Sequence, residues 1–357
     1  KETSYSKMEH TIDDEWDTFM TQADDKSCES EAILSSPILN EACPKASDIY
    51  ISTKTNISYL NQEVNLMSTF WKLSVIDYAT PQTGIVKKQM KFNSTTPNEL
   101  QEIQNHLKNE RCVEENIITN IDNPDGRIKF KDIRKVSVGI CKKDVVSYRS
   151  KKKSAFYNCF VIILRIKTRD MFKEFHVKVF NTGKMEIPGI QTDETFEVIL
   201  NMVVELLSPH FEKPLSVMKE KTQTVLINSN FNCGFYINRE SLFDILRNKY
   251  NIECIYDPCS YPGIQCKFYH DNTIDVQTGI KGTKENYTDV SFMIFRTGSV
   301  LIVGKCCEDV LRCIYRFLKD ILMDEFLKIG VKIITDDLVS KSKYKKIRKK
   351  VIVIDTN

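Results

Sequence analysis

The chain has 357 residues, 41% hydrophobic and 28% charged, the balance of an ordinary folded protein with length for one large core or two smaller ones. No apolar run approaches the length of a membrane span and no charged-then-apolar leader opens the sequence, so the 12 cysteines are expected to be reduced thiols, not a disulfide framework. The net charge of +3 is too small to argue for nucleic acid, but it is unevenly spread. Asp13, Asp14, Glu15, Asp17, Asp24, Asp25, Glu29 and Glu31 crowd the first 45 residues, whereas Lys341, Lys343, Lys345, Lys346, Arg348, Lys349 and Lys350 crowd the last stretch.

Residues 1–45 are polar, acidic and rich in serine, with too few apolar positions to offset the entropy of ordering, and are expected to be disordered. Within them Ile12, Trp16, Phe19 and Met20 share one face of a short predicted helix, which docks on a partner or lies on the protein itself. β-Branched residues with partial alternation predict a strand from Ile51, a short helix over 65–73 and a further strand over 85–92. Residues 94–154 combine a helical stretch (TTPNELQEIQNHLKNE), a turn at Asn123-Pro124-Asp125-Gly126 and basic clusters ending in Lys151, Lys152 and Lys153, and read as an insertion. Two strong strands, AFYNCFVIILRIK and EFHVKVF, a turn, MEIPGI and an amphipathic helix over 193–207 close a first unit, residues 46–212. Residues 213–327 repeat that order: VLINSNFNCGFYI, a helix in NRESLFDILRNKY, strands through YPGIQCKFYH, a second insertion, VSFMIF, a turn, VLIVG and a helix over 308–326. A basic tail, 328–357, follows.

The clearest internal match sets FHVKVFNTGKMEIPG (175–189) on VSFMIFRTGSVLIVG (290–304) without a gap. Phe180 falls on Phe295, Thr182-Gly183 on Thr297-Gly298, and Gly189 on Gly304. Both Thr-Gly pairs are hairpin-turn chemistry, because glycine tolerates positive φ. A second, gapped match sets Gly84-Ile85 and Lys91-Phe92 on Gly263-Ile264 and Lys267-Phe268. Strand alternation places Lys178 and Phe180 on one face, and Met293 and Phe295 on the matching face of the second copy.

A strand closing on Phe, a small polar pair with Gly, a second strand closing on Gly and then a long helix resembles each half of the TATA-binding protein family. YDPCSYPGIQCKF (256–268) resembles that family's second-repeat strand pair, with an aromatic and Pro-Gly at the loop tip. The resemblance covers residues 49–327 and, given the acidic head, the insertion and the diverged halves, is closest to the factors of this family encoded by large eukaryotic DNA viruses. It implies an α+β fold, a pseudo-twofold saddle whose curved antiparallel sheet carries helices on its convex side. It also implies double-stranded DNA as partner: the concave underside takes the A·T-rich minor groove of a promoter, aromatic wedges kink it, and general transcription factors or RNA polymerase dock on the convex face.

On this resemblance Phe180 and Phe295 are wedge candidates, Tyr261 is the second wedge of the second half, and Lys267 stands at a phosphate-contacting position. In the first half the matching strand is either GIVKKQMKF, with Thr83 at the wedge position, or FVIILRIK, which supplies Phe160 as wedge and Arg165 as phosphate contact. Lys178, Met293, Leu301 and Val303 complete the DNA-facing set, with Asn228 and Asn230 as central asparagines of the second half and Asp48 or Asn56 as counterparts in the first. Glu186 and Pro188 occupy the positions of Leu301 and Val303, and a carboxylate there is repelled by phosphate. The tail and insertion lysines either contact phosphate or form solvated surface.

No cofactor, metal or catalytic centre is expected. Cys254, Cys259, Cys266, Cys306, Cys307 and Cys313 lack a two-residue metal spacing, and His176, His210 and His270 lack a nucleophile or carboxylate at a recognisable spacing. Glycine-rich phosphate loops are missing as well. The sequence therefore reads as a DNA-bending transcription initiation factor of the nucleus or of a cytoplasmic viral factory, or one packaged in virions. The alternative is a saddle-shaped interaction scaffold in a transcription complex, with weak or no DNA binding.

Overall fold

The computed structural model describes residues 41–146, 157–168, 171–282 and 287–333, together with the backbone of 35–37. In chain order the elements are β1 (Ser35–Pro37), β2 (Tyr50–Tyr59), α1 (Leu66–Lys72), β3 (Gly84–Ser94), α2 (Pro97–Leu107), β4 (Val113–Asp122), β5 (Phe130–Gly139) and α3 (Lys142–Val146). They continue with β6 (Cys159–Thr168), β7 (Met171–Phe180), β8 (Lys184–Ile190), α4 (Asp193–Leu207), β9 (Gln223–Asn232), β10 (Tyr236–Ile237) and α5 (Arg239–Asn248). The last are β11 (Glu253–Ile255), β12 (Gly263–Asp271), β13 (Tyr287–Phe295), β14 (Ser299–Gly304), α6 (Glu308–Asp324), α7 (Phe326–Ile329) and β15 (Gly330–Ile333).

The architecture is α+β. A 12-stranded sheet runs β11-β12-β13-β14-β9-β2-β8-β7-β6-β3-β5-β4. β2 and β9 meet antiparallel at its centre, and the order outward from them is the same on both sides: β9, β14, β13, β12, β11 one way and β2, β8, β7, β6, β3 the other. The insertion adds β5 and β4 beyond β3, leaving β4 at the edge. A small second sheet pairs β15 with β1 and β10.

Alternation explains why one face is covered. Val290, Phe292 and Ile294 of β13 point into a core shared with Leu242 and Leu246 of α5 and Leu311, Ile314 and Leu318 of α6. Phe175, Val177 and Val179 of β7 do the same against Phe70 of α1 and Ile199, Leu200 and Val203 of α4. Burying each such side chain stabilises the fold by about 1.5–3 kcal/mol, so helix spacing and strand spacing jointly fix which face the helices take. Side-chain caps start the helices: Asn65 accepts from the Ser68 amide, Thr192 from that of Thr195 and Asn238 from that of Ser241. The two hairpins turn on Gly183 and Gly298, both at φ 78°. A Cβ at Gly183 would lie 2.5 Å from the Gln62 carbonyl oxygen, so the turn requires glycine.

Several expectations change. β6, not β3, is the counterpart of β12, because Cys159 pairs with Phe180 as Gly263 pairs with Phe295. The gapped match of Gly84 with Gly263 is therefore not a structural correspondence; β3 occupies the place of β11. The helix over 308–326 breaks at Glu325, and Gly330–Ile333, assigned to the tail, pairs as a strand with Ser35–Pro37 of the acidic head. The segment with Ile12, Trp16, Phe19 and Met20, the lysines 151–153 and the basic cluster from Lys341 lie outside the described residues.

Candidate nucleic-acid interface

The face opposite the helices is built by the other phase of the same strands. In the second half Gln265 of β12 pairs with Met293 of β13, Met293 with Leu301 of β14, and Leu301 with Asn230 of β9. One step along, Lys267, Ser291, Val303 and Asn228 form a parallel row. None of these side chains belongs to the helix-packed core. This surface is neutral over most of its extent: Gln265 and Lys267 are exposed, Asn230 donates to the Ser52 hydroxyl at 2.7 Å, and Lys267 lies 3.9 Å from Asp289.

The equivalent row of the first half is Val161, Lys178, Glu186 and Ile57. Lys178 donates to Glu186 at 2.8 Å, so the carboxylate that sequence reasoning found awkward is neutralised on the sheet itself. Pro188 is half-buried beside it. Asn56 is buried and accepts from the Thr224 hydroxyl at 3.0 Å, and Asp48 lies on the helix side near Arg312 and Arg316.

The wedge candidates divide by half. Phe295 is 9% exposed and packs on Tyr261, with ring centroids 6.0 Å apart. Burial raises the Tyr261 phenol well above its ordinary value. Phe180 is half-buried, with the Lys184 ammonium 5.2 Å from its ring centroid. Phe160 does not reach this face: it is fully buried in the helix-side core, because it stands one residue out of phase with Cys159 and Val161. The register sets YNCFVIILR on YPGIQCKFY, and the residue matching Tyr261 is Tyr157, 53% exposed with the Lys91 ammonium 3.6 Å from its ring centroid. That gapless match was present in the sequence and was masked by the choice of a phenylalanine.

Arg165 is on the open face but turned inward. It is 6% exposed, donates to the carbonyls of Tyr78 and Thr80 at 2.9 and 3.1 Å, stacks on the Tyr78 ring and lies 3.8 Å from Glu174. Its register partner in the second half is Tyr269, so Lys267 has no basic counterpart; that place belongs to Ile163. On the same face Cys141, the residue before α3, forms a small cluster with Val86 and Ile163. Burial, with Lys143 and Lys178 nearby, lowers His176 from its ordinary value to about 4.

No protein-family model matches the chain. A "TATA-box-binding protein-like" protein of Acanthamoeba polyphaga mimivirus is 22% identical over 220 residues, 55% of this chain and 56% of that protein. The likeness is to TATA-box-binding-protein-like proteins. The match spans about half the length of that relative. The TBP of Methanococcus jannaschii superposes with a TM-score of 0.37 at 14% identity, covering 78% of this chain and 99% of that one. Among the described residues, no group of three or more His, Cys, Asp and Glu side chains is placed to hold a metal ion, and no helix is long and apolar enough to cross a membrane.

Proposed function

We propose that the chain is a TATA-binding-protein-like transcription initiation factor that lays its open sheet face in the minor groove of A·T-rich promoter DNA and bends it. The observation that carries this reading is positional. Two register-matched aromatic pairs, Tyr157 with Phe180 and Tyr261 with Phe295, stand at equivalent places in two halves of like strand order. Between them lies the sheet face opposite the core helices, apolar or amide-bearing in its second half apart from Lys267, which suits a groove offering few donors and kinked steps that expose base planes. The halves are read as copies of one unit, and the helix-covered side as the surface for general transcription factors or polymerase. No catalysis and no cofactor enter this proposal; the site of action is the nucleus or a viral factory.

A second reading, a scaffold with weak or no DNA binding, is favoured by the Lys178–Glu186 pair and by the inward commitment of Arg165. Gel-shift and fluorescence bending assays with A·T-rich and G·C-rich duplexes at two salt concentrations separate the two. A bent, A·T-preferring complex that survives moderate salt and is abolished by Phe180→Ala with Phe295→Ala is expected. Bending that persists in the double variant removes the wedge assignment, and no preference between duplexes favours the scaffold.

A further inference from the structure

The open face of the first half is covered over part of its length. β5 ends at Gly139, whose φ of 90° turns the chain onto that face, and the following residues lie across β3 and β6. Cys141 is buried with Val86 and Ile163, and Ile76 packs against them. Asp144 holds the segment down: one oxygen accepts from the Lys87 ammonium at 2.8 Å and from the Cys141 amide at 2.9 Å. The Lys142 amide donates to Glu174 at 2.8 Å. In the second half Gln265 and Lys267, which match Val161 and Ile163, remain exposed.

This cover is lightly held and chemically opposed to DNA. α3 buries none of its residues, Val146 at its end is 59% exposed, and Cys141 alone of residues 140–146 is buried. Beneath it lie Val86, Ile163 and the ammonium of Lys87, an apolar and cationic set that a minor groove flanked by phosphates would accept. Asp144 of the cover already takes that ammonium and the Cys141 amide, so its carboxylate competes with phosphate for the same cation.

We propose that residues 140–146 are an autoinhibitory strap: closed, they restrict duplex DNA to the second half and the central strands, and they swing clear as phosphate replaces Asp144 at Lys87. The proposal rests on the DNA-binding reading above. A chain whose open form is a minor population binds with its intrinsic affinity reduced by that fraction, so loosening the strap tightens binding.

The full chain and its Asp144→Ala variant are compared for affinity towards an A·T-rich duplex, for hydroxyl-radical footprint length, and for amide hydrogen exchange at 140–146 with and without DNA. Expected are faster strap exchange when DNA is added to the unsubstituted chain, and, in the variant, faster exchange without DNA, a footprint lengthened on one side and roughly five- to tenfold tighter binding. Strap amides that become more protected on DNA addition overturn the proposal, as does tighter binding with unchanged footprint and exchange, which is only the loss of a repelling charge. Should the variant fold poorly, the exchange measurement on the unsubstituted chain still decides. If neither protein binds any duplex the DNA reading itself falls; if both bind with equal affinity and footprint, only the strap falls.

Discussion

The two halves of the sheet share strand order and hairpin glycines, yet their open faces are finished differently. Across the second half the row Gln265, Met293, Leu301, Asn230 carries no charge, and its aromatic pair is packed together. Across the first half the row Val161, Lys178, Glu186, Ile57 carries an ion pair, its aromatics sit beside Lys91 and Lys184, and a strap lies over the outer strands. The core face is alike in the two halves because helix packing constrains it. The open face is not so constrained, and there the side chains differ while the strand order does not.

The sharpest contrast is inside the first half, where the Lys88 side chain is fully buried. It donates to Glu110 at 2.5 Å and to the Leu73 carbonyl at 2.8 Å, with its ammonium 5.0 Å from the Phe70 ring centroid. Lys88→Ala empties a fully buried site and strands the partly exposed Glu110, so it is expected to lower unfolding free energy by about 3 kcal/mol in urea melts. Lys88→Met with Glu110→Gln is expected to recover most of that loss. Equal losses in both variants would show that the ammonium's own hydrogen bonds, and neither packing volume nor the stranded carboxylate, set the cost.

Next comes the aromatic pair. Tyr261→Ala removes a ring packed on Phe295 and is expected to cost about 2 kcal/mol of stability, whereas exposed Tyr157→Ala stays within about 0.5 kcal/mol. Both are expected to reduce DNA bending. If Tyr157→Ala leaves bending untouched, only the second half kinks the duplex.

A smaller effect follows pH. His176 sits where the second half has Ser291, and its imidazole titrates near 4 in the fold against about 6.5 when unfolded. Between these values the unfolded chain binds the extra proton, so the contribution is complete above about pH 6.5 and is lost as pH falls towards 4. Melts at pH 7 and pH 5 are expected to differ by about 1–2 kcal/mol more than in His176→Ser, and parallel pH profiles would place the imidazole in solvent.

Much of this was legible in the sequence, and the failures have physical causes. The hairpins could be aligned because Gly183 and Gly298 are demanded by turn geometry, and the helix Asp193–Leu207 because five apolar side chains recur at helical spacing. Phe160 was misjudged because residue type was weighed above register, and one step of register exchanges the faces of a strand. β4 was missed because, as an edge strand mostly exposed along its length, it shows no alternation, and β5 because Asp132 and Arg134 are buried as a pair that looks soluble in sequence. The strap had no signature at all: Asp144 and Lys87 are far apart in the chain and meet only through the sheet.

The finest test converts one half into the other. Glu186→Leu installs the residue found at Leu301 and releases Lys178 from its carboxylate. One negative charge fewer then opposes phosphate on this row, so binding is expected to tighten by about threefold at low salt and the salt slope to steepen by about 0.9. Adding Lys178→Met completes the row of the second half, and here the affinity gain is expected to persist while the slope returns to its starting value. Steepening in the single variant with no gain in the double would mean that the first half meets DNA through charge alone. No change in either would mean that this stretch of sheet does not touch the duplex, and the two halves would then differ in role as well as in chemistry.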